Sequence, residues 1–294
     1  MIIVDYSQTA ISTLMAELKG SANAEISTPL IRHMIINALR SYKVKYGSEF
    51  GNLVIACDNR KYWRKNLFPF YKANRKKARD DSGFDWHAIF EALNQIKQEL
   101  DEHFPYPVIE VDGAEADDVI ASLTFWSQEN DLIQFGLDFE PQPVLILSGD
   151  HDFAQLQRFK NVKQYSPIQR SWVKVKENPE FVLTEHILSG DKGDGVPNFM
   201  SADDTFVNGG RQKPIRKKDL EVWRTQPLSI WDGTPHEANV KRNIQMIDLR
   251  NIPTDVNESV INTYEAQKTR NKSQLLNYFI ANKMKNMIEH LGEF

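Results

Sequence analysis

The chain is poor in cysteine, in long apolar runs and in low-complexity tracts. Its 294 residues include one cysteine, Cys57. No intrachain disulfide can therefore form, and a reducing cytoplasm is the expected setting. Cys57 ends the run Leu53-Val54-Ile55-Ala56 and reads as a small buried side chain. No apolar run approaches the roughly 20 residues needed to cross a bilayer. The first residues lead straight into a strand-like run, without the charged-then-apolar order of a signal peptide, so no membrane association is expected. Neither a Gly-x-x-x-x-Gly-Lys loop nor a His-Glu-x-x-His pair is present, so ATP and zinc are not implied. Internal repeats are also missing. What remains is a globular composition, 41% hydrophobic and 26% charged, long enough for about two domains. A net charge of −4 argues against a protein that coats nucleic acid generally.

Nine carboxylates fall into five groups that share a rule of placement. Asp5 follows Met1-Ile2-Ile3-Val4, and Asp58 follows the run ending at Cys57. Glu115, Asp117 and Asp118 come just after Pro107-Val108-Ile109-Glu110-Val111. Asp150 and Asp152 follow Val144-Leu145-Ile146-Leu147, and Asp191 and Asp194 lie in GDKGDGVP. Short runs apolar on both faces read as buried parallel strands. In an open α/β sheet, ligands bind beyond the carboxyl ends of such strands. Residues from 5 to 152 should therefore meet in one cleft. Ionised carboxylates do not crowd together without cations between them, and oxygen ligands alone suit Mg²⁺ or Mn²⁺. Each group also has a structural reading. Glu115 to Asp118 would stabilise the start of a helix over residues 116–126, Asp150-His151-Asp152 could be a capping turn, and Asp191 and Asp194 an ordinary Gly/Asp turn. The shared placement favours the metal site.

Residues 60–79 hold nine of the 36 Lys and Arg residues and no acid. Tyr62, Trp63, Phe68, Phe70 and Tyr71 interleave with them. A positive segment with stacking aromatics is suited to a single nucleic-acid strand, and it starts directly after Asp58. The alternative is a solvated basic helix face. With nine like charges, few of these side chains are expected to be buried.

Helices are expected over residues 28–46 and 84–103, the second capped by Asp85 and ended by Phe104-Pro105-Tyr106-Pro107. Strand-like and helix-like segments alternate to about residue 157, the pattern of a parallel sheet covered by helices. Residues 162–175 suggest a hairpin around Ser166-Pro167. From about 181 the chain reads as mostly helical, with a loop over 197–215 and one last helix carrying Leu275, Leu276, Phe279, Ile280, Met284, Ile288 and Leu291 on a single face.

The strings IIVDYSQTAIS, CDNRKYWRK, YKANRKKAR, AEADDVIA, SGDHDF with KNVKQYSP, and LSGDKGDGVP, in this order and spacing, resemble the flap endonuclease/5′-nuclease superfamily. The resemblance runs from residue 2 to about 197 and is weaker beyond. It implies a mostly parallel central sheet flanked by helices, with a helical arch and a smaller, mainly helical C-terminal domain. The α/β nuclease domain would span residues 1–180, including the arch at 60–80, and the helical DNA-binding domain residues 181–294. It implies two Mg²⁺ ions, replaceable by Mn²⁺, with Asp5, Asp58, Glu115, Asp117 and Asp150 around the first and Asp152, Asp191 and Asp194 around the second. Asp118 is assigned a supporting role. Lys72 and Arg75 match the basic pair of the arch that faces the reacting phosphate. Arg64, Lys65, Tyr71, Lys76, Lys77, Arg79 and Lys192 are the expected DNA contacts. GDKGDGVP matches the start of a helix–turn–helix-like module that holds duplex DNA. The motif departs after Asp194, where Asn198 to Asp204 replace a Gly-rich hairpin with a Lys. A bound monovalent cation is therefore not expected there, and Arg211, Lys213, Arg216, Lys217 and Lys218 would grip duplex instead.

The implied activity is a 5′→3′ exonuclease and flap endonuclease of the ribonuclease H type. It would remove RNA primers and 5′ flaps during lagging-strand replication, acting as a monomer alongside a single-strand-binding protein and a sliding clamp. If the gene is phage-encoded, the host bacterial cytoplasm is the compartment. The alternatives are an RNA-only nuclease of the PIN type and a non-catalytic junction-binding protein.

Overall fold

The computed structural model describes residues 1–18, 27–75, 84–135 and 138–294. The expected strands form, in chain order, β1 (Ile2–Asp5), β2 (Leu53–Ala56), β3 (Val108–Ile109), β6 (Val144–Leu147) and β7 (Val162–Ser166). An exposed antiparallel pair, β4 (Leu132–Phe135) and β5 (Asp138–Pro141), precedes β6 and stands apart from the main sheet. With β8 (Ser171–Val173), the main sheet has six strands in the order β3-β2-β1-β6-β7-β8, parallel except for the last pair. That pair is the hairpin expected over 162–175.

Alternation along the strands divides the core. Ile2, Val4, Leu53, Ile55, Leu145 and Leu147 face one hydrophobic cluster, and Ile3, Val54, Ala56, Ile109, Val144 and Ile146 face the other. Both faces are covered, so the strands are apolar throughout. Each Val, Leu or Ile among them contributes about 1.5–3 kcal/mol on burial.

Helix α1 (Tyr6–Leu18) starts where β1 ends. Helix α2 (Thr28–Phe50) runs one turn beyond the expected 28–46, because Tyr46 and Phe50 continue its buried face and Gly51 ends it at φ 87°. Leu30, counted toward that face, is exposed. A short helix α3 (Trp63–Leu67) follows β2. Helix α4 (Trp86–His103) begins at its expected cap, the Asp85 carboxylate accepting from the Ala88 N–H at 3.0 Å. Helix α5 (Ala116–Asn130) lies against the sheet, and α6 (Pro179–Ser189) follows the hairpin.

The C-terminal third contains α7 (Lys217–Trp223), α8 (Glu237–Ile247), α9 (Thr254–Gln267), α10 (Leu275–Ala281) and α11 (Lys285–Ile288). Met246, Ile247, Val256 and Val260 join one sheet cluster, and Leu275, Phe279, Met284 and Met287 the other. The single last helix is corrected to two. Lys283 takes a left-handed φ of 56° between them, Phe279 and Met287 are buried, and Leu276 and Ile280 face solvent. The expected loop at 197–215 is made of turns and bends. It is tied down by Asn198, whose backbone and amide N–H groups donate to Gln212 and Lys213, and by Ser201, whose hydroxyl accepts from Lys213. No helix follows GDKGDGVP directly; the next is α7, so this segment is not itself half of a tight helix–turn–helix.

Candidate metal centre

Three strand ends and one helix start deliver carboxylates to one groove. Asp5 is the last residue of β1, Asp58 lies two residues past β2, Asp117 is in the first turn of α5 after β3, and Asp150 follows β6. All four line a groove of about 1060 Å³, together with Lys72 and Arg75. The groove continues over Gln8, Ser12, Ser41, Tyr42 and Lys45 to Tyr165 and Arg170.

Local hydrogen bonds fix these ends. Asp5 accepts from the Gln8 N–H (3.0 Å) and the Ser148 hydroxyl (3.1 Å). Asp58 accepts from the Ala116 N–H at 3.0 Å, tying the end of β2 to the start of α5. Gln164 donates to the carbonyls of Ser148 (3.0 Å) and Asp150 (2.6 Å), bracing the turn after β6. The Asp150 side chain also accepts from Asp152 N–H and caps the 3₁₀ helix His151–Arg158. The capping and metal-binding readings of this turn are therefore compatible.

Crowding of acids shows in their protonation. Burial, then Asp58 and Asp150, push the Asp5 carboxyl up to about 7. Burial and Asp150 likewise raise Asp152 to about 7, against the pull of His186. Asp117 is raised well above the carboxylate range by burial and by Asp150, with Lys72 opposing. Such a set is short of positive charge, and cations would satisfy it. The residues fit divalent ions on this ground.

A pH dependence of stability follows. A carboxyl whose folded pKa exceeds its unfolded value near 4 stabilises the fold fully below that value and loses the contribution as pH rises through about 7. Asp191 is opposite in sign, held down at about 2, so its loss falls below pH 4. The metal-free protein should therefore melt on the order of 5–10 °C lower at pH 8 than at pH 5. Millimolar Mg²⁺ should recover the difference at pH 8, because it binds the ionised folded site. Melting followed by circular dichroism checks this; a flat profile would show that the carboxylates are not crowded.

The start of the basic segment is packed, contrary to expectation. Trp63, Arg64, Phe68 and Tyr71 are buried. Arg64 donates to the Met246 carbonyl (3.0 Å) and to Glu115 Oε2 (3.1 Å), and lies 2.8 Å from Asp118 Oδ1. The Tyr71 hydroxyl lies 2.8 Å from Asp194 Oδ2 and 3.1 Å from Glu115 Oε2, with one proton to give to either. Neither Arg64 nor Tyr71 is therefore a DNA contact. Their charge and hydroxyl satisfy buried carboxylates, and an unpaired buried Arg would be costly. Asp118 has the expected supporting role: it accepts from the indole N–H of Trp63 and from Glu115 N–H in a capping box. Lys65 and Lys192 are exposed and available for a phosphate backbone. Lys76, Lys77 and Arg79 lie outside the described residues.

Lys72 and Arg75 reach the groove from a clamped backbone. Lys72 N–H donates to the Asp194 carbonyl (2.7 Å), and the Asn74 amide to the Lys192 carbonyl (3.1 Å). Gly195, at φ 75°, lets this contact close; a Cβ there would stand 3.1 Å from the Phe70 carbonyl oxygen. Lys72 Nζ is 2.5 Å from Glu115 Oε1 and 3.5 Å from Asp194 Oδ2, and Arg75 pairs with Asp194. Burial works against the Lys72 charge, but Asp194 and Glu115 outweigh it and raise its pKa. Glu115 and Asp194, both expected as metal ligands, thus hold the basic pair in this structure.

That second site contains a residue the sequence reading missed. Asp152 and Asp191 converge with His186, their ligand atoms all within 4.8 Å of one another. His186 Nδ1 is 3.3 Å from Asp152 Oδ1 and Nε2 is 3.4 Å from Asp191 Oδ2. Burial alone would lower its pKa, but hydrogen bonding to Asp191 and the fields of Asp152 and Asp191 raise it. His186 lies in the last turn of α6, five residues before Asp191. That position at a helix end, beside the GDKGDG turn, was the available signal.

Residues 2–185 match the family model described as 5′-3′ exonuclease, N-terminal resolvase-like domain, and residues 177–294 match the T4 RNase H C-terminal model. Ribonuclease H of Enterobacteria phage T4 is 33% identical over 303 residues, covering 99% of this chain and 95% of that protein. The flap endonuclease Xni of Shewanella pealeana is 32% identical over 142 residues, 46% of this chain and 48% of its own. The bacteriophage T5 flap endonuclease, solved with DNA and metal ions, shares the fold at a TM-score of 0.61 and 17% identity, covering 91% of this chain and 98% of the other. Family models spanning both parts of the sequence, and a relative aligned along nearly all of it, place the chain in the 5′-3′ exonuclease family, with a C-terminal region of the T4 ribonuclease H type.

Proposed function

We propose that the protein is a metal-dependent 5′-nuclease, cutting phosphodiester bonds at the 5′ ends and flaps of DNA and of RNA–DNA hybrids. Removal of primers and flaps in lagging-strand synthesis is the process this activity serves. One observation carries the reading: three carboxylates at or just beyond strand ends and one from the first turn of α5 share a single groove with Lys72 and Arg75. Asp5, Asp58, Asp117 and Asp150 would hold the first of two Mg²⁺ ions, with Glu115 behind them anchoring Lys72. Asp152 and Asp191 would hold the second. When bound, such ions supply positive charge to the scissile phosphate and lower the pKa of water. The protein's own share is electrostatic and positional. Lys72 and Arg75 neutralise charge that builds on the phosphate, from positions fixed by Glu115 and Asp194. The groove beyond them, past Lys45 to Arg170, offers hydrogen-bonding and cationic groups to a strand leaving the site.

The test is cleavage of a 5′-labelled flap duplex and of an RNA–DNA hybrid. Short 5′ products should form with Mg²⁺ and disappear with EDTA. Mn²⁺ should replace Mg²⁺. Cutting of RNA alone would favour the PIN-type alternative, and tight binding without cutting a junction-binding protein.

A further inference from the structure

We propose that His186 is a nitrogen ligand of the second metal site and biases that site toward imidazole-binding dications such as Mn²⁺ and Co²⁺, relative to Mg²⁺. The inference deepens the nuclease reading and rests on it for the site's role, though not for its existence.

The three residues converge, one ligand atom of each lying within 4.8 Å of the others. Asp191 Oδ1 accepts the N–H of Asp194 at 3.0 Å, and Oδ2 meets His186 Nε2 at 3.4 Å, a hydrogen bond that a shared cation would replace. Asp152 Oδ1 is buried and accepts no hydrogen bond, although His186 Nδ1 stands 3.3 Å from it. A buried carboxylate oxygen without a donor is destabilising, and a cation would satisfy it. The imidazole is carried by the last turn of α6, immediately before the turn that supplies Asp191, and is about one-quarter exposed. Chain geometry therefore presents nitrogen where the acidic motifs alone promise oxygen.

Ligand chemistry gives the consequence. Mg²⁺ takes oxygen donors and keeps much of its water, while imidazole suits the transition-metal dications. A site with two carboxylates and one imidazole should favour Mn²⁺ and Co²⁺ more than the four-carboxylate group in the groove does. The expectation of oxygen ligands only, drawn from the acidic motifs, then holds for the first site and fails for the second.

Pulsed electron paramagnetic resonance on the full-length protein loaded with Mn²⁺ reads the contact directly. The wild type should show coupling to a ¹⁴N nucleus. His186→Gln, which keeps polar atoms near both carboxylates but no ring nitrogen, should lose it. His151→Gln should keep it, since His151 neighbours Asp152 but is exposed. Calorimetric titration should show Co²⁺ affinity falling at least about tenfold in His186→Gln, with Mg²⁺ affinity changing less than about threefold. No ¹⁴N coupling in the wild type overturns the proposal, even if the variant fails to fold. So does an equal loss of Co²⁺ and Mg²⁺ affinity. Nitrogen coupling without cleavage of any flap substrate would keep the ligand and reject the nuclease reading; cleavage without nitrogen coupling would do the reverse.

Discussion

Asp150→Asn should reduce cleavage of a flap substrate by at least about 10³-fold in Mg²⁺, while changing affinity for the uncut substrate by no more than a few-fold. Asp150 stands where the groove's carboxylates and the second cluster meet. It raises the protonation of Asp5, Asp117 and Asp152, so its charge is felt at both sites. Neutralising it removes an anionic ligand without removing a basic contact to DNA. Loss of one charge-stabilising group at a reacting centre commonly costs 10²–10³ in turnover, and loss of a metal ligand adds to that. The amide can still accept the N–H of Asp152, so the 3₁₀ helix should keep its cap. Single-turnover cleavage beside equilibrium binding in Ca²⁺ checks the division. Turnover near the wild-type value would remove Asp150 from the metal centre.

How much of this site was legible depended on the range of the forces involved. The strand ends were readable because a buried parallel strand must be apolar on both faces, so Asp5, Asp58 and Asp150 stood out as the first charges after such runs. Asp85 was readable as a cap because its partner, Ala88, is three residues away. Arg64 and Tyr71 were not. Their partners Glu115, Asp194 and the Met246 carbonyl are far off in sequence, and a charge run gives no local sign of which members turn inward. His186 escaped for a similar reason: Asp152 comes from the other side of the hairpin. The break at Lys283 was hidden by a helical pattern that remains periodic while only part of it is covered. In the β4–β5 pair Leu132, Ile133 and Phe139 are exposed, so alternation there did not report burial.

Lys72→Ala combined with Arg75→Ala should lower the single-turnover rate at saturating substrate by about 10²–10³-fold and weaken binding far less. In the structure these two cations are held by acids: Lys72 by Glu115, Arg75 by Asp194. An exposed lysine that merely met the DNA backbone would not be buried against two carboxylates. Burial of Lys72 and the Asp194 pairing of half-exposed Arg75 keep the charges in place before substrate arrives, so little reorganisation is needed when charge builds on the phosphate. Most binding energy would come from other phosphate contacts, including exposed Lys65 and Lys192 and the cluster Arg211, Lys213, Arg216, Lys217 and Lys218. The substitution also leaves Glu115 and Asp194 short of cations within a buried network. Arg64 and Tyr71 still contact Glu115, and Tyr71 still contacts Asp194. The fold should survive, with a loss of about 1–3 kcal/mol. The salt dependence of binding should keep nearly its wild-type slope, since that slope counts neutralised phosphates. Weaker affinity and a shallower salt slope, with an unchanged rate at saturation, would instead make Lys72 and Arg75 part of the general DNA-binding surface.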